Sequence, residues 1–146
     1  MIRNEREYRA SLAHRRRLLA ARAAHEAAPQ ADGEAQAMLL AGMAELLGDV
    51  EAELAEYEGL RRGETTALEV ADLAALPDAL VRARIAAGLT QRALAARLGV
   101  SEEQVRKDEA GGYARASLAR LAGVLAALGV AYRAPLTLEV GRAQHG

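Results

Sequence analysis

Gly88-Leu-Thr-Gln-Arg-Ala-Leu-Ala-Ala-Arg-Leu-Gly-Val-Ser-Glu-Glu-Gln-Val-Arg-Lys-Asp-Glu109 reads as two short helices joined by a tight turn. Thr90 stands where a side-chain oxygen caps the first helix, and Leu94, Ala95 and Leu98 follow it on one face. Gly99 suits the left-handed conformation that ends a helix, and Val100 is the small apolar residue that packs the turn. Ser101-Glu-Glu-Gln104 fits a capping box, in which Ser101 and Gln104 each satisfy an end donor of the second helix. The pattern therefore predicts helices over 91–98 and 102–110.

Working outward, Pro77 suits the first position of a helix running to Ala87, with Leu80, Val81 and Ile85 facing inward. Downstream, Gly111-Gly112 marks a loop, Ser117 caps a helix over Leu118–Leu128, and Gly129 ends it. Tyr132–Val140 then alternates apolar and polar residues and predicts a short strand bent at Pro135. Such a strand needs a partner, either Leu68–Val70 of the extended Thr66-Ala-Leu-Glu-Val70 or the same strand of a second chain. The tail over Arg142–Gly146 is expected to fray.

Far upstream, Tyr8, Leu12 and Leu19, flanked by Ala13, Ala20 and Ala27, predict a helix over 3–28. Pro29-Gln-Ala-Asp-Gly33 breaks it. Leu39, Met43, Leu46, Val50, Tyr57 and Leu60 alternate by three and four and predict a second helix over 34–62, closed by Gly63. A short turn between two long helices favours an antiparallel hairpin. Residues 1–28 carry seven Arg against three Glu, whereas residues 31–69 carry ten acidic residues against Arg61 and Arg62. Arg15-Arg-Arg17 suits a nucleic-acid or membrane contact, but the complementary charge favours pairing with Glu45, Asp49, Glu53 or Glu56 of the second helix. Neither helix can bury its stripe against one neighbour, so the hairpin is expected to pack on a second protomer.

The expected architecture is mainly α. A helical hairpin over 1–62 serves dimerisation or partner binding, a connector spans 63–76, a helical domain spans 77–130, and a strand and tail fill 131–146. Alanine is abundant while Phe, Trp and Cys are absent, which favours helix and excludes disulfides and thiolate metal sites. Every apolar run is cut by Arg, Glu or Gly, so no membrane span or signal peptide is expected, and a cytoplasmic protein is the default. His14, His25 and His145 are scattered, and neither a metal-ligand cluster nor a nucleophile motif accompanies them. No cofactor, metal or catalytic residue is expected. The net charge of −1 would ordinarily argue against nucleic acid, but residues 77–120 carry eight basic and five acidic side chains. Phosphate attraction depends on the local face.

The skeleton Arg84…Gly88-Leu-Thr-Gln91…Leu94-Ala95…Leu98-Gly99-Val-Ser101…Val105…Glu109-x-Gly111…Ser117-Leu118…Leu121…Ala127-Leu-Gly-Val130 resembles the helix-turn-helix domain of phage repressor and Cro proteins, the Xre-type regulators. The resemblance covers Leu76–Val130 and implies a five-helix repressor-like domain whose second motif helix enters the major groove of double-stranded DNA. On this resemblance Glu103, Gln104 and Lys107 fall on base-contacting positions. Gln104 suits adenine, Lys107 guanine, and a glutamate cytosine N4. Glu102 and Glu103 also favour the helix dipole while repelling phosphates. Gln91, Arg92, Ser101, Arg106, Tyr113 and Arg115 fall on phosphate-contacting or flanking positions, with packing an equal alternative for Tyr113. Arg84 and Glu109 stand where the family carries a partly buried structural ion pair, and Asp108 where many relatives carry an aromatic residue. The implied function is a dimeric repressor reading an inverted repeat. The opening Ile2-Arg-Asn-Glu-Arg-Glu-Tyr8 and the later Glu56-Tyr57-Glu58 also resemble host-growth-inhibition antitoxins, which implies a toxin partner as the alternative.

Overall fold

Six α-helices follow one another in the computed structural model, which describes residues 1–28 and 33–133. α1 (Glu5–Ala27) and α2 (Gly33–Arg61) form an antiparallel hairpin. α3 (Leu76–Ala86), α4 (Gln91–Leu98), α5 (Glu102–Ala110) and α6 (Leu118–Leu128) form the rest. No strand occurs among the described residues; the strand expected from Tyr132 lies, beyond Arg133, outside them, as do 29–32 of the hairpin turn.

Local chemistry sets each boundary. Asn4 accepts from the Glu7 N–H at 2.9 Å while the Glu7 carboxylate accepts from the Arg3 N–H at 2.9 Å, a reciprocal start for α1. Pro77 sits in the first turn of α3, where its missing N–H costs nothing. Thr90, Ser101 and Ser117 cap α4, α5 and α6 by accepting from the N–H three residues on, at 3.0–3.1 Å. Gly99 adopts φ 67° after α4, and the Val100 N–H returns to the Ala95 carbonyl at 3.0 Å, closing a Schellman turn between α4 and α5.

One core joins the hairpin to the other helices. Leu54, Tyr57 and Leu60 on the last turns of α2, with Ile2, pack with Leu80, Val81 and Ile85 of α3 and onward with Leu94, Val105 and Val124. Each such side chain contributes about 1.5–3 kcal/mol when fully buried. Residues 77–130 hold four helices among the described residues, not the five implied by the resemblance. The exposed face that α3 would otherwise present is covered by α2 of the hairpin.

The hairpin is zipped at its base. Tyr8 donates its hydroxyl proton to Glu58 at 2.7 Å, and Arg61 donates to Glu5 at 3.0 Å while lying over the rings of Tyr8 and Tyr57. The expected pairing of Arg15-Arg-Arg17 with α2 is not found: among the described residues none of the three forms an ion pair. Glu53 and Glu56 are instead engaged by the Met1 ammonium and by Arg82 of α3. Fixing two long exposed side chains costs about as much entropy as a surface pair returns. Farther from the base, Leu19, Met38, Leu39 and Leu46 are exposed.

Candidate nucleic-acid interface

α5 is short and polar, and its orientation follows from the two residues it buries. Val105 and Glu109 point inward, so at about 100° per residue the opposite face is centred on Glu103 and Lys107, with Arg106 and Gln104 to either side. All four are exposed. The three base-contact candidates thus share one solvent-facing surface at the start of a capped helix.

That surface is internally wired. Glu103 pairs with Arg106 one turn on, and Lys107 lies 3.7 Å from its other carboxylate oxygen. The carboxylate lowers the local cationic field and holds both cations over the helix face. Gln104 donates to Asp108 at 2.7 Å, and Asp108 accepts from Arg120 of α6 at 2.9 Å. The expected capping box is therefore only half formed. Ser101 caps the Gln104 N–H as anticipated, but the Gln104 amide turns forward to Asp108. Asp108, at a position where many relatives carry an aromatic residue, ties α5 to α6 through Arg120.

The phosphate candidates divide by exposure. Arg92 and Arg115 are exposed and have no carboxylate partner among the described residues. The Ser101 hydroxyl is exposed, and while it accepts from Gln104 its own proton stays available. Gln91 is buried: its amide N–H donates to Glu109 at 2.8 Å, and its carbonyl oxygen accepts from Asn4 at 3.3 Å. Its side chain faces the scaffold; at the start of α4 the Thr90 hydroxyl accepts from the Ala93 N–H. Tyr113 is buried at φ 53° in the loop before α6, and desolvation pushes its phenol up to about 12. It packs the loop that carries Arg115.

Arg84 and Glu109 form a two-pronged buried pair at 2.5 and 2.8 Å. The same guanidinium donates to the Leu89 carbonyl at 2.8 Å and to the Arg3 carbonyl at 2.7 Å. One side chain thus fastens the end of α5, the turn before α4 and the segment before α1. The last of these links, together with the Asn4–Gln91 contact, joins residues far apart in sequence, and no local pattern announces it. Arg97, which donates to the Ala127 carbonyl at 2.8 Å and ties α4 to α6, was equally hidden.

A cleft of about 770 Å³ opens beside α5, between the first turn of α1 and the first turns of α4 and α5. Arg3, Arg6, Thr90, Glu102 and Arg106 are among its walls. Among the described residues no group of His, Cys, Asp and Glu is arranged to hold a metal, and no helix is long and apolar enough to cross a membrane.

Comparison with known families matches residues 80–133 to the helix-turn-helix family of the Cro/C1 type, a family of DNA-binding regulator domains rather than of enzymes. The match begins in α3 and ends just after α6, leaving the hairpin outside it. Neither the curated proteins nor the solved structures contain a match to the chain.

Proposed function

We propose that this chain, whose residues 80–133 are a Cro/C1-type helix-turn-helix domain, is a dimeric, sequence-specific repressor that reads an inverted repeat in double-stranded DNA. The observation that carries the reading is the exposed face of α5, where Glu103, Gln104 and Lys107 stand together on a helix fixed by a cap and a buried ion pair. α5 enters the major groove. Lys107 addresses guanine, Gln104 uses the carbonyl oxygen and second amide proton left free by Asp108 to address adenine, and Glu103 accepts from cytosine or restrains its two cations. Arg92, Ser101, Arg106, Arg115 and the backbone at Gln91 position the duplex through phosphates, and Tyr113 supports the loop behind Arg115.

The dimer is proposed through the hairpin, because Met38, Leu39 and Leu46 present apolar surface that one chain leaves uncovered. The same surface favours a second reading, an antitoxin whose hairpin grips a toxin while the helix-turn-helix represses their operon. Light scattering on the purified protein separates the two: a stable dimer supports the first, and a monomer that binds DNA only with a second protein supports the other.

The regulator reading is tested by gel shift on the DNA upstream of the protein's own gene, with the wild-type chain and Gln104→Ala/Lys107→Ala. Each well-made base contact is worth about 1–3 kcal/mol, so the double variant should lose on the order of 10²-fold in affinity for that duplex. Undiminished binding by the variant refutes this recognition surface.

A further inference from the structure

We infer that Arg6, on the first turn of the hairpin, is a DNA-backbone contact, so that the reading head extends beyond the helix-turn-helix into α1; this rests on the DNA-binding reading above. The argument begins with the Asn4–Gln91 hydrogen bond and the Arg84–Arg3 carbonyl bond, which fasten the start of α1 to the start of α4. Arg6 consequently lines the same cleft as Thr90 and Gln91 of α4 and Glu102 and Arg106 of α5. A duplex seated on the exposed face of α5, with a phosphate at the start of α4, passes the mouth of that cleft.

Charge within the cleft singles out Arg6. Arg3 pairs with Glu7, Arg61 with Glu5, Arg84 with Glu109 and Arg106 with Glu103. Among the described residues Arg6 alone of the lining arginines is without a carboxylate partner, and it is exposed. The surplus carboxylate of the cleft is Glu102 at the start of α5, which repels a phosphate. The Gln91 amide, turned inward, supplies no offsetting contact. A freely placed guanidinium across the cleft provides one, and its fork suits phosphate oxygens. The contact carries no sequence information, as a backbone contact should not.

The test measures binding against salt concentration by fluorescence anisotropy. Wild type, Arg6→Gln, Arg6→Lys and Arg9→Gln are each titrated onto a duplex from upstream of the gene and onto a scrambled duplex of equal length. Arg9 lies on the same helix, is exposed and outside the cleft, and removes the same charge; its partner Glu5 stays held by Arg61. Arg6→Gln should weaken binding several-fold to both duplexes and lower the slope of log affinity against log salt by about 0.9, the value for one phosphate. Arg6→Lys should keep the wild-type slope, and Arg9→Gln should leave slope and affinity unchanged. A wild-type slope for Arg6→Gln overturns the inference while leaving the regulator reading intact, as does an equal loss for Arg9→Gln. A wild-type chain that binds neither duplex overturns both.

Discussion

α1 runs for 23 residues without burying one of them, whereas α3, less than half as long, buries Ala79, Leu80, Val81, Arg84 and Ile85. The two helices belong to regions built on different terms. Around α3 the chain spends its apolar residues on its own interior, and Arg84 is enclosed there in a pair with Glu109. Along α1 and the outer turns of α2, apolar side chains are left on a solvated surface among unpaired arginines. A region stabilised internally can hold a recognition helix in place. A region that leaves apolar surface uncovered is, on the reading proposed above, completed by a second chain. Its base is secured by the Tyr8, Tyr57 and Arg61 cluster, and farther along Gln36 of α2 donates to the His25 carbonyl of α1 at 2.7 Å.

The contrast breaks most visibly at the charges. Arg84→Ala leaves the Glu109 carboxylate buried without its partner and should cost about 3–5 kcal/mol in a urea melt, together with DNA binding. Arg22→Ala, which removes an exposed pair with Glu26 on α1, should cost no more than about 0.5 kcal/mol. Equal losses would show the two regions to be energetically alike. Next in size is Met38→Ser/Leu46→Ser. It should leave the melt within about 0.5 kcal/mol per residue for a monomeric reference, because both side chains are already exposed, yet raise the dissociation constant of the proposed dimer at least about tenfold by analytical ultracentrifugation. An unchanged dimer moves the interface away from the hairpin.

A separate effect is confined to alkaline pH. Burial raises the Tyr113 phenol from 10.0 to about 12, so the folded state holds its proton more tightly than the unfolded chain does. Its contribution is fully present below pH 10 and is lost as pH climbs from about 10 to 12. Tyr8 is also raised, through its hydrogen bond to Glu58, but at the hairpin surface. Tyr113→Phe should therefore flatten the fall of stability across that window more than Tyr8→Phe does, as followed by circular dichroism in buffers from pH 9 to about 12. The reverse order would place the tighter tyrosine in the hairpin.

How far the sequence disclosed this molecule depended on the reach of each interaction. Caps and turn glycines act within four residues, so Thr90, Gly99, Ser101 and Ser117 are read directly and the helix boundaries fall within two residues of expectation. The solvent-facing side of α5 follows from its period, with Val105 turned inward. What stayed hidden crosses elements. Asn4 occupies the Gln91 carbonyl, Arg120 recruits Asp108, and α2 packs on α3. Such contacts are selected by the assembled geometry from many polar side chains of similar reach. The Gln104 amide shows the difficulty in one residue: it bonds Asp108 rather than closing the cap, and the same Asp108 is held by Arg120, sixteen positions on from Gln104.

The joint between hairpin and reading head has a consequence for how such a chain changes over generations. Arg84 grips the hairpin by the main-chain oxygen of residue 3 and the turn by that of residue 89. Every amino acid brings the same oxygen, so substitutions at these two sites leave both grips in place. A lineage can then rewrite the hairpin surface while the orientation of α5 is inherited unaltered.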